Sequence, residues 1–123
     1  LYDITPQVIA WAKESTLRTG LLTLYVQHTS ASILINENYD SDVLVDMESF
    51  FARLVPDGDK LFIHTSEGPD DMPAHVRSAL TQTSISIPFV EGKVALGMWQ
   101  GIFLYEHRLA PHTRNVLLHL IAE

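Results

Sequence analysis

The sequence predicts one mixed α/β (α+β) domain of about six antiparallel strands and two or three helices. The chain has 123 residues, of which 46% are hydrophobic, so it is long enough for one packed core and too short for two ordinary domains. Several segments alternate apolar and polar residues with the period of strands, whereas others repeat apolar residues at helical spacing. The late strand-like segments have short connections, which favour antiparallel pairing. Residues 1–123 are therefore interpreted as a single domain.

The N-terminal segment is predicted to form a helix. Thr5 offers an N-cap hydroxyl, and Pro6 lies in the first turn, where its missing N–H is harmless. We expect this helix to cover residues 6 to about 19 and to end near Gly20. Because LYDITP reads as the end of a strand that runs straight into the helix, an earlier N-terminal strand is predicted to be missing.

Two strands with polar ends follow. In LLTLYVQHTS (21–30), alternate residues share one face, and this face consists of Leu22, Leu24, Val26 and His28. In SILINEN (32–38), Ile33 and Ile35 share a face with Glu37, while Asn36 lies on the other. Both strands are thus expected to place polar groups at the end of an apolar row.

Two more helices are predicted in the middle of the chain. Asp40 is a candidate N-cap for a helix whose apolar residues recur at helical spacing, namely Val43, Met47, Phe50 and Leu54. Pro56-Asp57-Gly58 ends it. A short helix is expected from about Pro73 to Leu80, with an apolar face of Met72, Val76, Ala79 and Leu80 toward the core.

The remaining sequence has the period of strands. Ile85, Ile87 and Phe89 alternate with polar residues or proline, and EGK (91–93) reads as a turn before a second alternating run through Met98. This pattern predicts a hairpin. Two further strands are predicted, in GIFLYEHR and RNVLLHLIA.

Composition excludes several classes of function. The chain has 8 Lys+Arg against 15 Asp+Glu, a net charge of -7, which opposes binding to nucleic acid or to an anionic membrane. Its lack of cysteine excludes disulfides, thiolate zinc sites and a cysteine nucleophile. No apolar run approaches the ~20 residues of a membrane-spanning helix. We expect a cytoplasmic protein without nucleic-acid or membrane partners.

The segment HTSEGPDDMPAH (64–75) is the strongest candidate site. If a helix begins near Asp71, then Asp71 and His75 lie four residues apart on one face and can converge on one metal ion or proton. Adjacent Asp70 and Asp71 repel each other unless a cation, a cluster of donors or water compensates. The alternative is an acidic helix N-terminus favoured by the helix dipole. This alternative explains the two aspartates, but it does not explain the presence of His64, Glu67 and His75.

Three other polar groups are weaker candidates. His28 begins HTS, which is either a hydrogen-bonded strand end or a phosphate-binding hydroxyl cluster. Asn36 and Glu37 either close a strand or carry function. Glu106, His107 and Arg108 offer an acid, an imidazole and a guanidinium at a strand end, where exposed charges are the simpler interpretation. We expect the functional members of these groups to meet the 64–75 segment at one concave pocket, either within a subunit or at a boundary between subunits.

Three blocks, HTSASILINEN (28–38), EGPDDMPAH (67–75) and GMWQGIFLYEHR (97–108), resemble those of the YjbQ family, also called the secondary thiamine-phosphate synthase family. The resemblance covers nearly the whole chain. The last block departs from the family's usual Gly-Thr-Trp-Gln-Gly because Met98 replaces the threonine, which removes a hydroxyl available for ligand contact. Family members usually begin with an additional strand.

The resemblance implies a fold in which two antiparallel sheets form a sandwich or pseudo-barrel, assembled as a homotrimer. It implies a weak thiamine-phosphate synthase activity, in which hydroxymethylpyrimidine diphosphate and thiazole phosphate are joined with release of pyrophosphate, in many members beside another primary activity. The catalytic candidates are then His28, Glu37, Asp71 and His75. The substrate-binding candidates are Asn36, Trp99, Gln100, Glu106 and Arg108.

A divalent metal is expected to stabilise the departing pyrophosphate. Magnesium would be held by carboxylates, with Glu67, Asp70 and Asp71 as candidates, and Arg108 would contact phosphate. Zinc would instead be held by imidazoles; the candidates are His28, His64, His75 and His107. Two other classes stay open. One is a non-catalytic small-molecule-binding protein, because the chain has no glycine-rich phosphate loop and no nucleophile–base pair at diagnostic spacing. The other is a metal-dependent hydrolase of a phosphorylated metabolite.

Overall fold

The computed structural model describes residues 1–122, in which three helices and seven strands occur. The helices are α1 (Thr5–Lys13), α2 (Ser41–Leu54) and α3 (Asp71–Leu80). The strands are β1 (Tyr2–Asp3), β2 (Gly20–Val26), β3 (Ala31–Glu37), β4 (Ser84–Val90), β5 (Lys93–Val94), β6 (Gln100–Glu106) and β7 (Val116–Ala122). In this part of the chain, no helix combines the length and the apolar character needed to cross a membrane.

The strands form two antiparallel sheets, so the predicted fold class is confirmed. One sheet has the strand order β1-β6-β3, and the other has the order β5-β4-β2-β7. In the first sheet, Ala31 lies opposite Glu106 at one end and Glu37 lies opposite Gln100 at the other. This register separates the polar groups at the two ends of β3.

The core lies between the two sheets, and the strand periodicity predicted its main rows correctly. Leu22, Leu24 and Val26 are buried together with Ile33 of β3, whereas Leu21, next to them on β2, is exposed. Val8 of α1 packs into the same cluster. The apolar rows of β2 and β3 therefore face each other, as a two-sheet fold requires.

Helix α1 is shorter than predicted, because it ends at Lys13 rather than near residue 19. The Ser15 hydroxyl accepts a hydrogen bond from the Leu17 amide, and such local side-chain bonds compete with helical ones. Thr5 is not the N-cap: it lies inside the helix, and its hydroxyl accepts a hydrogen bond from the Ile102 amide of β6. Thr5 therefore fixes α1 to the first sheet.

The predicted strand through Met98 is also shorter, because β5 contains only Lys93 and Val94. The Gly97 amide donates a hydrogen bond of 2.7 Å to Oε1 of Gln100. This contact bends the chain into a turn, so alternation of side chains alone did not make a strand there.

Helix α3 buries a different face from the one predicted. Met72 and Val76 are half-buried and Leu80 is exposed, whereas the residues in contact with the core are Asp71, Pro73, Ala74 and Ser78. The Ser78 hydroxyl donates a hydrogen bond of 3.0 Å to the Ala31 carbonyl of β3. Polar contacts therefore set the rotation of α3, and they turn Asp71 inward.

Helix α2 lies open to solvent. Asp40 is its N-cap, as predicted, and accepts a hydrogen bond of 2.9 Å from the Asp42 amide. The apolar positions Phe50 and Leu54 nevertheless stay about half exposed, and α2 contains no buried residue. Its apolar face is thus only partly covered within the chain.

Candidate functional site

The first turn of α3 and the loop before it bring His64, Asp71 and His75 together, which we call the His-Asp cluster. Nε2 of His64 donates a hydrogen bond of 2.7 Å to Oδ2 of Asp71, and Nε2 of His75 lies 3.2 Å from the same oxygen. The predicted i, i+4 pairing of Asp71 and His75 is therefore present. One ligand atom from each residue lies within 4.8 Å of the others.

Solvent reaches the His-Asp cluster from one side. The side chains of His64 and His75 are 40% and 33% exposed, whereas that of Asp71 is 2% exposed. The carboxylate thus forms the floor of the site and the two imidazoles form its open edge. A small ligand can approach the imidazoles without any rearrangement of the core.

The orientation of His75 is fixed by the backbone. Its Nδ1 lies 3.0 Å from the Thr29 carbonyl oxygen, and because a carbonyl only accepts, Nδ1 carries the proton. When the ring is in its neutral form, Nε2 directs a lone pair at Asp71. Two lone pairs 3.2 Å apart repel each other unless a proton or a metal ion lies between them, and a backbone bond at the other ring nitrogen is the usual way to orient a metal-binding histidine.

Arg108 compensates the two adjacent aspartates. Its Nε donates to Oδ2 of Asp70 at 3.0 Å and its Nη1 to Oδ1 of Asp71 at 2.7 Å. A third hydrogen bond of 3.0 Å joins Nη2 to the Glu67 carbonyl. Since each nitrogen of the guanidinium already has an acceptor in the chain, we interpret Arg108 as a residue that positions the carboxylates.

The charges around Asp71 keep it ionised. Burial raises the pKa of this carboxyl, but the hydrogen bond from His64 and the electrostatic interactions with His75 and Arg108 outweigh burial and hold the pKa below its ordinary value. The pKa of Asp70 is lowered chiefly by the Leu109 amide and by Arg108. Both carboxylates are therefore available as anions at neutral pH.

The acidic segment does not act as a helix cap. Asp70 occupies the N-cap position of α3 but makes no side-chain capping hydrogen bond. Its Oδ2 instead accepts from the Leu109 amide at 2.9 Å and from Arg108. The aspartates are therefore held by the chain after β6.

The other residues predicted as metal ligands lie outside the His-Asp cluster. Glu67 has an exposed side chain with Oε2 4.0 Å from Nη1 of Arg108, and Asp70 points at the same guanidinium. His107 directly follows β6 and is buried, and its Nε2 lies 2.9 Å from the hydroxyl of Ser32 on β3. Among residues 1–122, only the three cluster residues form a group with the spacing of metal ligands.

His28 and Glu106 have structural partners. Nε2 of His28 accepts a hydrogen bond of 2.7 Å from the Asn115 amide, which ties the end of β2 to the start of β7. Glu106 forms an ion pair with Arg114, and Arg114 also donates to the Ser30 carbonyl at 3.1 Å. Both predicted residues lie at the same end of the sheets as the His-Asp cluster, but their side chains bond to Asn115 and Arg114 and not to the cluster.

Four predicted residues, Asn36, Glu37, Trp99 and Gln100, lie at the opposite end of the first sheet, which we call the distal end. Glu37 and Gln100 are paired there, six residues along β3 from Ala31, which corresponds to about 20 Å of strand. Oε2 of Glu37 accepts from the Asp40 amide at 3.3 Å. The length of β3 therefore separates the two groups within one chain, and a pocket that they share at a boundary between subunits stays a prediction.

His107 is a neutral core residue. Its side chain is 3% exposed, and among residues 1–122 its Nδ1 has no hydrogen-bond partner. The pKa of His107 is lowered to about 4, chiefly by burial and also by the positive charge of Arg77, and Glu106 opposes both effects. Protonation of this imidazole is therefore costly in the folded protein.

We expect His107 to make the protein less stable in mild acid. Its pKa is about 4 when folded and 6.5 ordinarily, so between these values the unfolded chain binds the proton and stability falls as the pH falls. The loss amounts to about 3 kcal/mol over this range. Denaturant unfolding of the wild type and of His107→Gln between pH 7 and pH 4 should show a smaller loss for the variant. His119→Gln, at an exposed position on β7, is the control, and equal slopes for all three proteins would contradict the assignment.

Two groups that shape the site were not predicted from the sequence. The Thr29 carbonyl orients His75 across 46 positions of sequence, and backbone carbonyls carry no sequence signal. Arg114 pairs with Glu106, and its place after Pro111 and His112 in a loop gave no periodicity from which the contact follows.

Comparison with known proteins shows one family across the whole chain. The family described as UPF0047 protein YjbQ-like matches residues 1–123. The UPF0047 protein sll1880 of Synechocystis is 51% identical over 123 residues, which are 100% of this chain and 84% of that protein. The UPF0047 protein YjbQ of Escherichia coli O157:H7 is 47% identical over 104 residues, 85% of this chain and 75% of that protein.

Solved structures show the same fold. A YjbQ/UPF0047 family protein of Clostridium acetobutylicum has a TM-score of 0.87 at 34% identity, with 97% of this chain and 88% of that chain covered. A hypothetical protein of Aeropyrum pernix has a TM-score of 0.87 at 30% identity, with 98% and 87% covered.

Proposed function

This chain belongs to the YjbQ-like UPF0047 family, and from the geometry of its His-Asp cluster we propose that it is a metal-dependent thiamine-phosphate synthase. The reaction joins hydroxymethylpyrimidine diphosphate to thiazole phosphate. The carbon–oxygen bond to the diphosphate breaks, a carbon–nitrogen bond to the thiazole forms, and pyrophosphate leaves. This activity can be secondary to another that uses the same site.

The observation that carries the proposal is the convergence of two imidazoles on Oδ2 of Asp71, at 2.7 and 3.2 Å. Two nitrogen ligands and one carboxylate suit zinc and other transition metals better than magnesium, which prefers oxygen. Three protein ligands with an open position are typical of catalytic zinc sites. The donor set therefore fits a divalent transition metal.

Each residue of the proposed metal site has a separate role. Asp71 supplies the anionic ligand, His64 and His75 supply neutral ligands at the solvent-facing edge, and Arg108 holds Asp71 in place. A bound divalent ion would contribute positive charge where the leaving pyrophosphate gathers negative charge. The half-exposed imidazoles leave room for a phosphorylated substrate on the open side of the cluster.

Hydrolysis of a phosphorylated metabolite is the second candidate. It is favoured by the open position of a three-ligand set, because such sites in hydrolases hold a water molecule that becomes the nucleophile. The two reactions differ in their products. A synthase consumes both precursors and releases pyrophosphate, whereas a hydrolase releases inorganic phosphate from one of them.

The test is a product analysis with purified wild-type protein. The two precursors are supplied separately and together, with zinc, with magnesium and with a chelator. We expect thiamine phosphate and pyrophosphate only when both precursors and metal are present. Release of inorganic phosphate from one precursor alone would replace the synthase by the hydrolase, and absence of turnover and of metal binding would contradict both.

We also propose that the protein assembles as a homotrimer. Its accessible surface is 7781 Å², whereas a compact monomer of this mass has about 6600 Å². Large apolar side chains contribute to this surface, among them Tyr39, Leu61, Ile63, Met98 and Leu109. An apolar surface of this extent favours association, and the family resemblance supplies three as the subunit number.

Light scattering coupled to size exclusion should therefore give a mass of three times 13.8 kDa. The apolar contacts should hold the assembly together at high salt, since salt screens charges but does not weaken hydrophobic burial. A monomer mass that persists across a wide concentration range would contradict the trimer.

A further inference from the structure

A cavity adjoins the His-Asp cluster on the side of the segment between α2 and α3. We infer that it is an anion subsite in which Lys60 binds a phosphate group of a small ligand while apolar atoms of that ligand pack on Phe62 and Met72. The inference rests on the proposed function, because His64 belongs both to the cavity wall and to the cluster.

The cavity has the size of a small-metabolite site. Its volume is about 320 Å³, and its lining includes Lys60, Phe62, His64, Thr65, Pro69 and Met72. Volumes of about 300–1,000 Å³ are usual for small-molecule pockets. A ligand with one ring and one phosphate fits this range, and a phosphate bound at Lys60 would lie in the same cavity as the imidazole of His64.

Lys60 is the cation available to a ligand in this cavity, because the neighbouring arginines are already paired with carboxylates. Arg77 and Arg108 are both paired with carboxylates, Arg77 with Asp57 at 2.9 Å and Arg108 with Asp70 and Asp71. Within residues 1–122, Lys60 forms no ion pair. Because the chain carries a net charge of -7, a phosphate needs such a local cation to bind.

The carboxylate of Asp59 repels an anion in the cavity, but a hydrogen bond to the backbone limits this repulsion. Asp59 also lines the cavity, but its Oδ1 accepts a hydrogen bond of 2.9 Å from the Leu61 amide. This hydrogen bond holds one carboxylate oxygen of Asp59 against the backbone. The exposed ammonium of Lys60 sits on a flexible stem and is free to meet the phosphate.

The segment that forms the cavity is long for a compact domain. Residues 55–70 connect α2 to α3 with neither helix nor strand, and connections of this length usually carry function. Half-buried Phe62 and Met72 give the cavity an apolar side, whereas Thr65 adds a hydroxyl. The lining therefore selects a phosphate attached to an apolar ring over inorganic phosphate alone.

Binding of phenylphosphonate, a phosphate analogue that resists hydrolysis and carries an apolar ring, tests this inference. Calorimetric titrations would compare wild-type protein, Lys60→Met and Lys60→Arg, each with and without zinc. We expect Lys60→Met to weaken phenylphosphonate binding about tenfold, because a charge-assisted hydrogen bond is lost, and Lys60→Arg to stay within about threefold of wild type. Lys93→Met, at an exposed lysine on β5, is the matched control and should bind as wild type does.

The zinc titrations separate this inference from the proposed function. Lys60→Met should bind zinc with wild-type affinity, because Lys60 is not a metal ligand. If wild-type protein fails to bind zinc, the metal-dependent function fails, while the loss of phenylphosphonate binding in metal-free Lys60→Met would still support the subsite. Equal phenylphosphonate affinity in wild type and Lys60→Met, or an equal loss in Lys93→Met, would overturn the subsite.

Discussion

Replacing Asp71 with Asn is expected to reduce turnover by about 10²-fold or more and to weaken zinc binding in parallel. The amide keeps the shape of the side chain but removes the charge toward which both imidazoles converge. It also supplies a donor where the His-Asp cluster needs a lone pair. His75→Ala should cause a loss of similar size, because it removes a ligand whose orientation the Thr29 carbonyl fixes. Thiamine phosphate formation and zinc titration measure both effects.

Thermal melts accompany these assays, so that unfolding is not mistaken for lost catalysis. Asp71→Asn loses its charge pairing with Arg108, but that guanidinium keeps its bond to Asp70, and a folded protein is expected. His119→Gln is again the matched control, because its imidazole lies on exposed β7. Turnover and zinc affinity like those of the wild type in both cluster variants would remove the cluster from catalysis.

Replacing Arg108 with Met is expected to cost about 3–5 kcal/mol of unfolding free energy. The change leaves two adjacent buried carboxylates without their shared guanidinium, and their desolvation and mutual repulsion are then uncompensated. Three hydrogen bonds that join the segment after β6 to the start of α3 are lost at the same time. Denaturant unfolding at neutral pH measures the loss.

The matched control is Arg53→Met, which removes a guanidinium from the exposed last turn of α2 and should change stability by less than about 0.5 kcal/mol. Arg108→Lys should lie between wild type and Arg108→Met, since an ammonium keeps the charge but cannot match the planar fork of three bonds. An unfolding free energy for Arg108→Met within about 1 kcal/mol of wild type would contradict the assigned role.

Local patterns in the sequence predicted the parts of the fold and site that depend on spacing. Period-two alternation placed Leu22, Leu24 and Val26 in the core, and the i, i+4 interval placed Asp71 beside His75. Both predictions depend only on the geometry of one strand or one helix. Coulomb repulsion between Asp70 and Asp71 also predicted a compensating cation, cluster of donors or water, and Arg108 provides this compensation.

Local patterns of this kind did not predict the contacts between residues far apart in the sequence. The rotation of α3 is set by Ser78 bonding to the Ala31 carbonyl, and helical periodicity of apolar residues pointed to the opposite face. Glu37 and Trp99 belong to blocks that suggested one site, but the register of β3 with β6 places both at the distal end. The separation between the distal end and the His-Asp cluster follows only from the pairing of β3 with β6 in the sheet.

Helix α2, which has no buried residue, also bears on how the chain moves. The free energy of a local opening increases with the number of apolar contacts that the opening breaks. Opening of α2 breaks far fewer apolar contacts than opening of β2 or β6 would. Its amide hydrogens should therefore exchange with solvent through openings that leave both sheets intact. The domain then behaves as a rigid two-sheet body with one element of low local stability, and any partner that covers α2 slows its exchange without altering the core.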